Sequence, residues 1–268
     1  MSNSDSAKYL TLLLMVYPSF FAFNYTLLSE QIFVLLLLAG LLVFQKYHNP
    51  FLLGFFIGAS TYFRPHGFIM LLSFYLYLII SLLVKKRSFK IFLQESLLIS
   101  LGVSVIISPW IYRNYKAFHK IIPMSAVGGA NLAVGNNPYL VTGGFVDLYS
   151  LLPDSVIIKY HLNSRNDVIR DDGFRQLALD YIRSNPKAFL FNGFKKIKET
   201  MFKDTSIIDH WLQKGGYLKR ILQMIAQIMM VLITIFGLAH LFKGKPPGEY
   251  GQLVKIFIVL YLLTIAVV

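Results

Sequence analysis

Polar side chains able to do chemistry are sparse in this chain, so each one that interrupts an apolar run is informative. Glu30 stands in TLLSEQ, at the mouth of such a run. A carboxylate there is either a functional acid, base or cation partner, or a residue reaching water from the headgroup layer. Arg64, in STYFRPHG, carries a planar fork that suits phosphate oxygens. The bland reading is a hairpin tip snorkelling to water. Arg113 and Asn114, in PWIYRN, follow an apolar run whose edge is marked by Trp110 and Tyr112. An arginine so placed is a headgroup anchor or a ligand clamp.

The fourth feature is GGANLAVGNNP, with Gly128, Gly129, Asn131, Asn136 and Asn137. It lies in a polar stretch from Pro109 to Gly144 that reads as an irregular loop, because its glycines and Asn-Asn-Pro turn favour exposed backbone. Small residues leave backbone N–H groups free, and amides that both donate and accept suit sugar hydroxyls or phosphate. A solvated connector is the alternative.

Other chemistries find no foothold. With no cysteine there is no thiolate nucleophile and no thiolate metal site. Phosphate-loop, dinucleotide and H-E-x-x-H spacings are missing too, so neither a metal nor a cofactor is expected. Asp171 and Asp172 read as first-turn acids complementing the dipole of the helix they precede.

The elements that must position these residues are apolar. Hydrophobic residues make up 56% of the chain and charged ones 15%, with mean hydropathy +0.58, which predicts an all-α polytopic membrane protein. The net charge of +13 falls on membrane borders and one hydrophilic block rather than on a nucleic-acid module, so membrane lipids are the expected partners and nucleic acid is not. Spans are predicted at Tyr9–Tyr25 (broken near Pro18), Leu27–Phe44, Phe92–Trp110, Ile221–Phe242 and Gln252–Val268. Phe51–Val84 is too long for one span and breaks at Arg64-Pro65-His66-Gly67 into a pair of short helices. The expected organisation is residues 1–110 as membrane helices, 111–219 as one extracytoplasmic loop domain, and 220–268 as further membrane helices. Within the loop domain, Asp171–Lys203 is helical in pattern and interrupted at Pro186. Its second half, apolar-faced and lysine-edged, reads as an interfacial helix or as an ordinary amphipathic helix packed on the domain.

Taken in order, these features resemble a known group. Tyr17-Pro18, LLSE, the Gly54, Gly58, Arg64-Pro65 series, P-W-x-x-R-N and GGANLAVGNNP are followed by TGG, D-D-x-F-x-x-x-A and N-P-x-x-F. The series is similar to that of bacterial lipid-linked sugar transferases of the GT-C class, which include dolichyl-phosphate-mannose protein mannosyltransferase-like and aminoarabinose-transferase-like enzymes. The resemblance implies a GT-C-like helical bundle in the plasma membrane. It also implies transfer of a sugar from a polyprenyl-phosphate donor to a cell-envelope acceptor on the outer face. Arg64 and Arg113 would then meet the phosphate, Glu30 would support the cavity, and the Gly/Asn stretch would line the sugar or acceptor side. That class carries its catalytic acid on an outer loop ahead of the tyrosine-proline span, where this chain has only MSNSDSAK. No catalytic residue is therefore assigned. The chain is expected to need an N-terminal segment or partner chain for transfer; a non-catalytic membrane subunit, transporter component or inactive fragment is the alternative.

Short basic loops set the expected orientation. Lys85, Lys86, Arg87 and Lys90 form the densest of them and are predicted to stay inside, leaving residues 111–219 outside. Because the chain has no cysteine, a single one placed at Ser125 should react with an impermeant thiol reagent in intact cells. Labelling only after lysis would invert the orientation.

Overall fold

Local signals set where the apolar runs begin and end. The computed structural model describes residues 12, 15–19, 29–139, 148–203, 216–243 and 248–267; most of the expected Tyr9–Tyr25 span and the TGG triplet lie outside them. Helix α1 is Ser29–Tyr47. Asn49 then accepts from the Leu52 amide at 3.1 Å, and Pro50 fills the first position of α2, Pro50–Phe63, where its missing N–H costs nothing. Arg64 is driven to extended backbone (φ −147°, ψ 130°) by the proline after it. α3, Gly67–Leu83, follows at once. The expected break is therefore where the sequence places it.

The next helix departs from expectation. α4 runs from Phe89 to Phe118, thirty residues with Pro109 inside, so the boundary anticipated at residue 110 falls within a helix. At 1.5 Å per residue it is about 45 Å long, longer than a hydrocarbon core of roughly 30 Å. Proline here removes one hydrogen bond rather than ending the helix. In the same turn the Tyr62 hydroxyl donates to the Ile106 carbonyl at 2.6 Å. The helix stops where His119 turns left-handed (φ 52°).

The supposed loop also contains a helix, α5, Gly128–Gly135. A short 3-10 turn at Leu148–Leu151 leads to α6, Asp154–Lys159, and α7, Asp167–Ser184. α8 is Pro186–Phe202, α9 Gly216–Lys243 and α10 Gly248–Val267. No strand occurs among the described residues. Asp171 and Asp172 are inside α7, which Asn166 caps through the Val168 and Ile169 amides at 2.9 and 3.4 Å. The dipole reading of those acids is corrected accordingly.

Three described helices are long and apolar enough to cross a membrane: α1, α4 and the Gly216–Gly237 part of α9. α2, α3 and residues 251–267 of α10 are apolar but shorter. Large apolar side chains such as Leu35, Leu42, Leu97, Leu101 and Phe236 stand more than half exposed, which suits lipid rather than water. Apolar faces gain nothing from one another in lipid, so close packing must hold such helices together. α2 supplies it. A Cβ on Gly54 would overlap the Ile99 carbonyl of α4, and one on Gly102 would overlap the Phe51 carbonyl of α2. Around this contact lie Leu53, Ile57, Phe74, Leu78 and Ile99, all fully buried, with Leu253 of α10 joining them. A second core joins α5, α6 and α7 through Ala133, Leu148, Leu162, Phe174, Leu177 and Ala178.

Overpacking at the first contact should cost on the order of 1–3 kcal/mol. Gly102→Val is expected to lower the melting temperature in detergent. Gly128→Ala, at a position with nothing within 4 Å, should leave it nearly unchanged. Equal melting of the two variants would remove the glycine contact as the basis of packing.

Candidate functional site

Glu30 and Arg64 meet. The first turn of α1 and the α2–α3 turn lie at one end of the bundle, and an Arg64 Nη2–Glu30 Oε1 ion pair joins them. Each side chain is about one-third exposed. Their remaining polar atoms are not all used: Glu30 Oε2 and Arg64 Nε are buried without a hydrogen-bond partner, as are Gln31 Nε2 and His66 Nδ1 beside them. The His66 ring stands edge-on to Phe33 at 6.5 Å and tilted against Tyr261 of α10 at 5.5 Å. Burial, and secondarily the Arg64 charge, hold His66 below the ordinary histidine range, so it is neutral at pH 7. The cluster therefore offers an unused carboxylate oxygen, a guanidinium N–H and a neutral imidazole nitrogen. Together these can accept a proton from a hydroxyl and donate to an oxyanion. Arg64 does not present a free positive charge, because Glu30 already balances it.

The Gly/Asn stretch is differently committed. Asp171 of α7, buried at 6% exposure, accepts from the Gly129 and Ala130 amides at 2.7 and 3.0 Å through one carboxylate oxygen. Its other oxygen accepts from Arg175 at 3.1 Å. The N-terminus of α5 thus already holds an anion, the group it would otherwise offer to phosphate. Gly129 is small because α7 is against it: a Cβ there would overlap the Asp171 carbonyl. Gly128 and Asn131 face open space and solvent.

The paired asparagines are buried rather than free. Asn136 Nδ2 donates to the Leu132 carbonyl at 3.0 Å and to Val267, at the end of α10, at 2.7 Å. Asn137 Nδ2 donates to Ala133 and Val134, and its Oδ1 accepts from the Tyr139 amide at 2.8 Å. Only Asn136 Oδ1, buried and unpartnered, is left from this pair of amides. For the Gly129 and Ala130 N–H groups and for the Asn136 and Asn137 amides, the expectation of free groups is corrected on this geometry; the Asn131 amide stays exposed.

PWIYRN is a staple. Asn114, 2% exposed, donates to the carbonyls of Ile122 and Met124 at 2.8 and 2.9 Å. One turn earlier the Trp110 indole donates to the same Met124 carbonyl at 2.7 Å. Side chains four apart on one helix face thereby fix the chain that returns alongside it. Arg113 lies over the Trp110 ring at 4.8 Å and donates to Asn114 Oδ1 at 3.1 Å. It is exposed and distinct from the Glu30 cluster.

Sequence reasoning missed Gln31, His66 and Tyr261 as members of the site. The first two adjoin Glu30 and Arg64 and were legible as neighbours; Tyr261 sits in an apolar run that gives no such signal. It also missed Asp171. The lesson is testable: Asp171→Ala should cost roughly 2 kcal/mol or more by freeing two buried amides, with faster proteolysis near α5. Asp172→Ala, which removes only exposed pairs with Lys120 and Arg175, should cost about 0.5 kcal/mol or less. Similar losses would return Asp171 to a surface role. Comparisons with protein-family models, curated proteins and solved structures found no match, so a functional reading rests on these side chains and on the resemblance of the motifs.

Proposed function

We propose that this chain is a membrane glycosyltransferase of the GT-C type, or part of one, moving a sugar from a polyprenyl-phosphate donor to a cell-envelope acceptor at the outer face of the plasma membrane. One observation carries the reading: Glu30 and Arg64, 34 residues apart, converge with His66 and Tyr261 at one end of the bundle and leave buried polar atoms unspent. Glu95 Oε2 of the Arg87–Glu95 ion pair is likewise buried without a partner, so what distinguishes this cluster is the convergence of four side chains from α1, the α2–α3 turn and α10. In the reaction an acceptor oxygen attacks the anomeric carbon and the lipid phosphate departs. Arg64 Nε and His66 face the leaving phosphate, and Glu30 orients the guanidinium and neutralises it until the donor arrives. The base that activates the acceptor is left to a segment or partner outside the described cluster. Within the Gly/Asn stretch, the buried Asn136 Oδ1 and the exposed Asn131 amide are what is left for a hydroxyl.

A second reading, a non-catalytic membrane subunit, draws on the commitments of the other motifs. Asn114, Asn137 and the α5 N-terminus spend their polar groups on internal bonds. A cleft of about 630 Å³ beside Tyr139, Tyr160 and Asp180 is lined by none of the residues of the Glu30 cluster.

A charge swap separates the two. The chain, supplied with the segment that precedes the tyrosine-proline span in the class, is assayed with labelled polyprenyl-phosphate sugars. Glu30→Gln and Arg64→Gln should each reduce transfer about tenfold or more. The double variant Glu30→Arg with Arg64→Glu restores an ion pair and insertion, and should remain inactive. Recovery of transfer by the swap would make the pair structural and favour the second reading.

A further inference from the structure

Arg64 is balanced by Glu30 and Arg113 is exposed over an indole, but Lys196 has no such arrangement. It lies on α8, where Gly193, Lys196, Ile197 and Met201 share one face by helical spacing. That face meets two apolar helices. A Cβ on Gly193 would press on the Ala266 carbonyl of α10 at 3.1 Å, and the carbonyls of Met201 and Phe202 accept from Thr234 and Gln227 of α9. On the same face the Lys196 side chain is half-buried and its ammonium is withdrawn from solvent without a hydrogen-bond partner; Glu199, one turn on, does not reach it. Burial holds it below the ordinary lysine range. An ammonium withdrawn from water is strongly unfavourable unless an anion stands against it.

The remainder of α8 indicates which anion. Leu190, Phe191 and Phe194 are 60%, 71% and 73% exposed, and Lys187, Lys195 and Lys198 flank them in the open. An apolar edge bordered by lysines, on a helix seated against two apolar helices, fits the headgroup layer of a bilayer. There acyl chains meet the phenylalanines while a phosphate sits level with the lysines. We propose that the seam between α8, α9 and α10 binds the phosphate of an anionic phospholipid, with Lys196 as its buried cation. The lipid is a structural ligand that completes the seating of α8. The site does not depend on sugar transfer, and a chain without transferase activity would still show it.

The full chain is reconstituted in nanodiscs of phosphatidylcholine with and without phosphatidylglycerol, and bound lipid is counted by native mass spectrometry after release. The wild type should retain phosphatidylglycerol over phosphatidylcholine about tenfold, and Lys196→Met should reduce that preference to about twofold or less. Melting should invert in the same way: Lys196→Met is the more stable in phosphatidylcholine, having lost an uncompensated charge, and the less stable in phosphatidylglycerol. Lys196→Arg, which keeps the charge if the methionine variant does not insert, should keep the preference. So should Lys195→Gln with Lys198→Gln. A preference that survives Lys196→Met, or that vanishes with the two surface lysines, overturns the site. Full protection by inorganic phosphate, or tighter retention of polyprenyl phosphate than of phosphatidylglycerol, overturns the phospholipid assignment.

Discussion

Backbone contact between α2 and α4 is the constraint from which the bundle follows. Gly54 and Gly102 let the two helices approach until carbonyls lie where side chains would otherwise stand. α1 also packs closely on α2, though side chain to backbone: a Cβ on Gly40 would sit 2.8 Å from Phe56 Cβ. With α1 and α4 both locked to α2, the start of α1 and the end of α2 have one relative placement. Glu30 reaches Arg64 for that reason. Close packing by small residues is the expected way to hold apolar helices whose surfaces have no reason to leave lipid. An electrostatic pair at the helix ends could not by itself fix register, because it is one-third exposed and partly screened.

The same physics explains what could be read from the chain in advance. The break at Arg64-Pro65-His66-Gly67 was legible because proline disfavours helix in the residue before it, and a glycine two residues on adds a second interruption. Span lengths put Glu30 and Arg64 at the same end, since the helices alternate in direction, but not in contact; the ion pair is seen only in the structure. α4 was not. Proline inside a helix and proline after one look alike in sequence, and the contacts that flank Pro109 come from Tyr62, 44 residues away, and from the returning chain at Ile122 and Met124. The Gly/Asn stretch was misleading for a related reason. Its glycines signal close approach of something, and a ligand was the natural guess, but the approaching group is the α7 backbone at Asp171.

Asp171 also illustrates how a polar domain is joined to itself without a large core. One carboxylate accepts two amides of α5 and an arginine of its own helix, giving a charge that is buried but fully surrounded by donors. Such a group is stable where an unpaired one is not. Asn136 makes the corresponding connection to the apolar helices, because its amide reaches the Val267 carbonyl of α10 at 2.7 Å. The polar domain and the apolar helices are thereby joined by a side-chain hydrogen bond.

Function in such a chain is best sought where polar capacity is left over. Buried donors and acceptors are nearly always satisfied, and most of the polar residues in this chain's motifs obey the rule: Asn114, Asn137 and Asp171 each spend their hydrogen-bonding atoms on the fold. Glu30 Oε2, Arg64 Nε, His66 Nδ1 and Lys196 Nζ do not. The first three lie together and carry, in sum, no net charge, which suits a site that must accept an ion pair's worth of ligand without attracting every passing anion. Lys196 is a bare cation in an apolar seam, which suits permanent occupation by an anion. Near-neutral and unspent marks a place where groups come and go; charged and unspent marks a place that something must fill before the helices around it can rest.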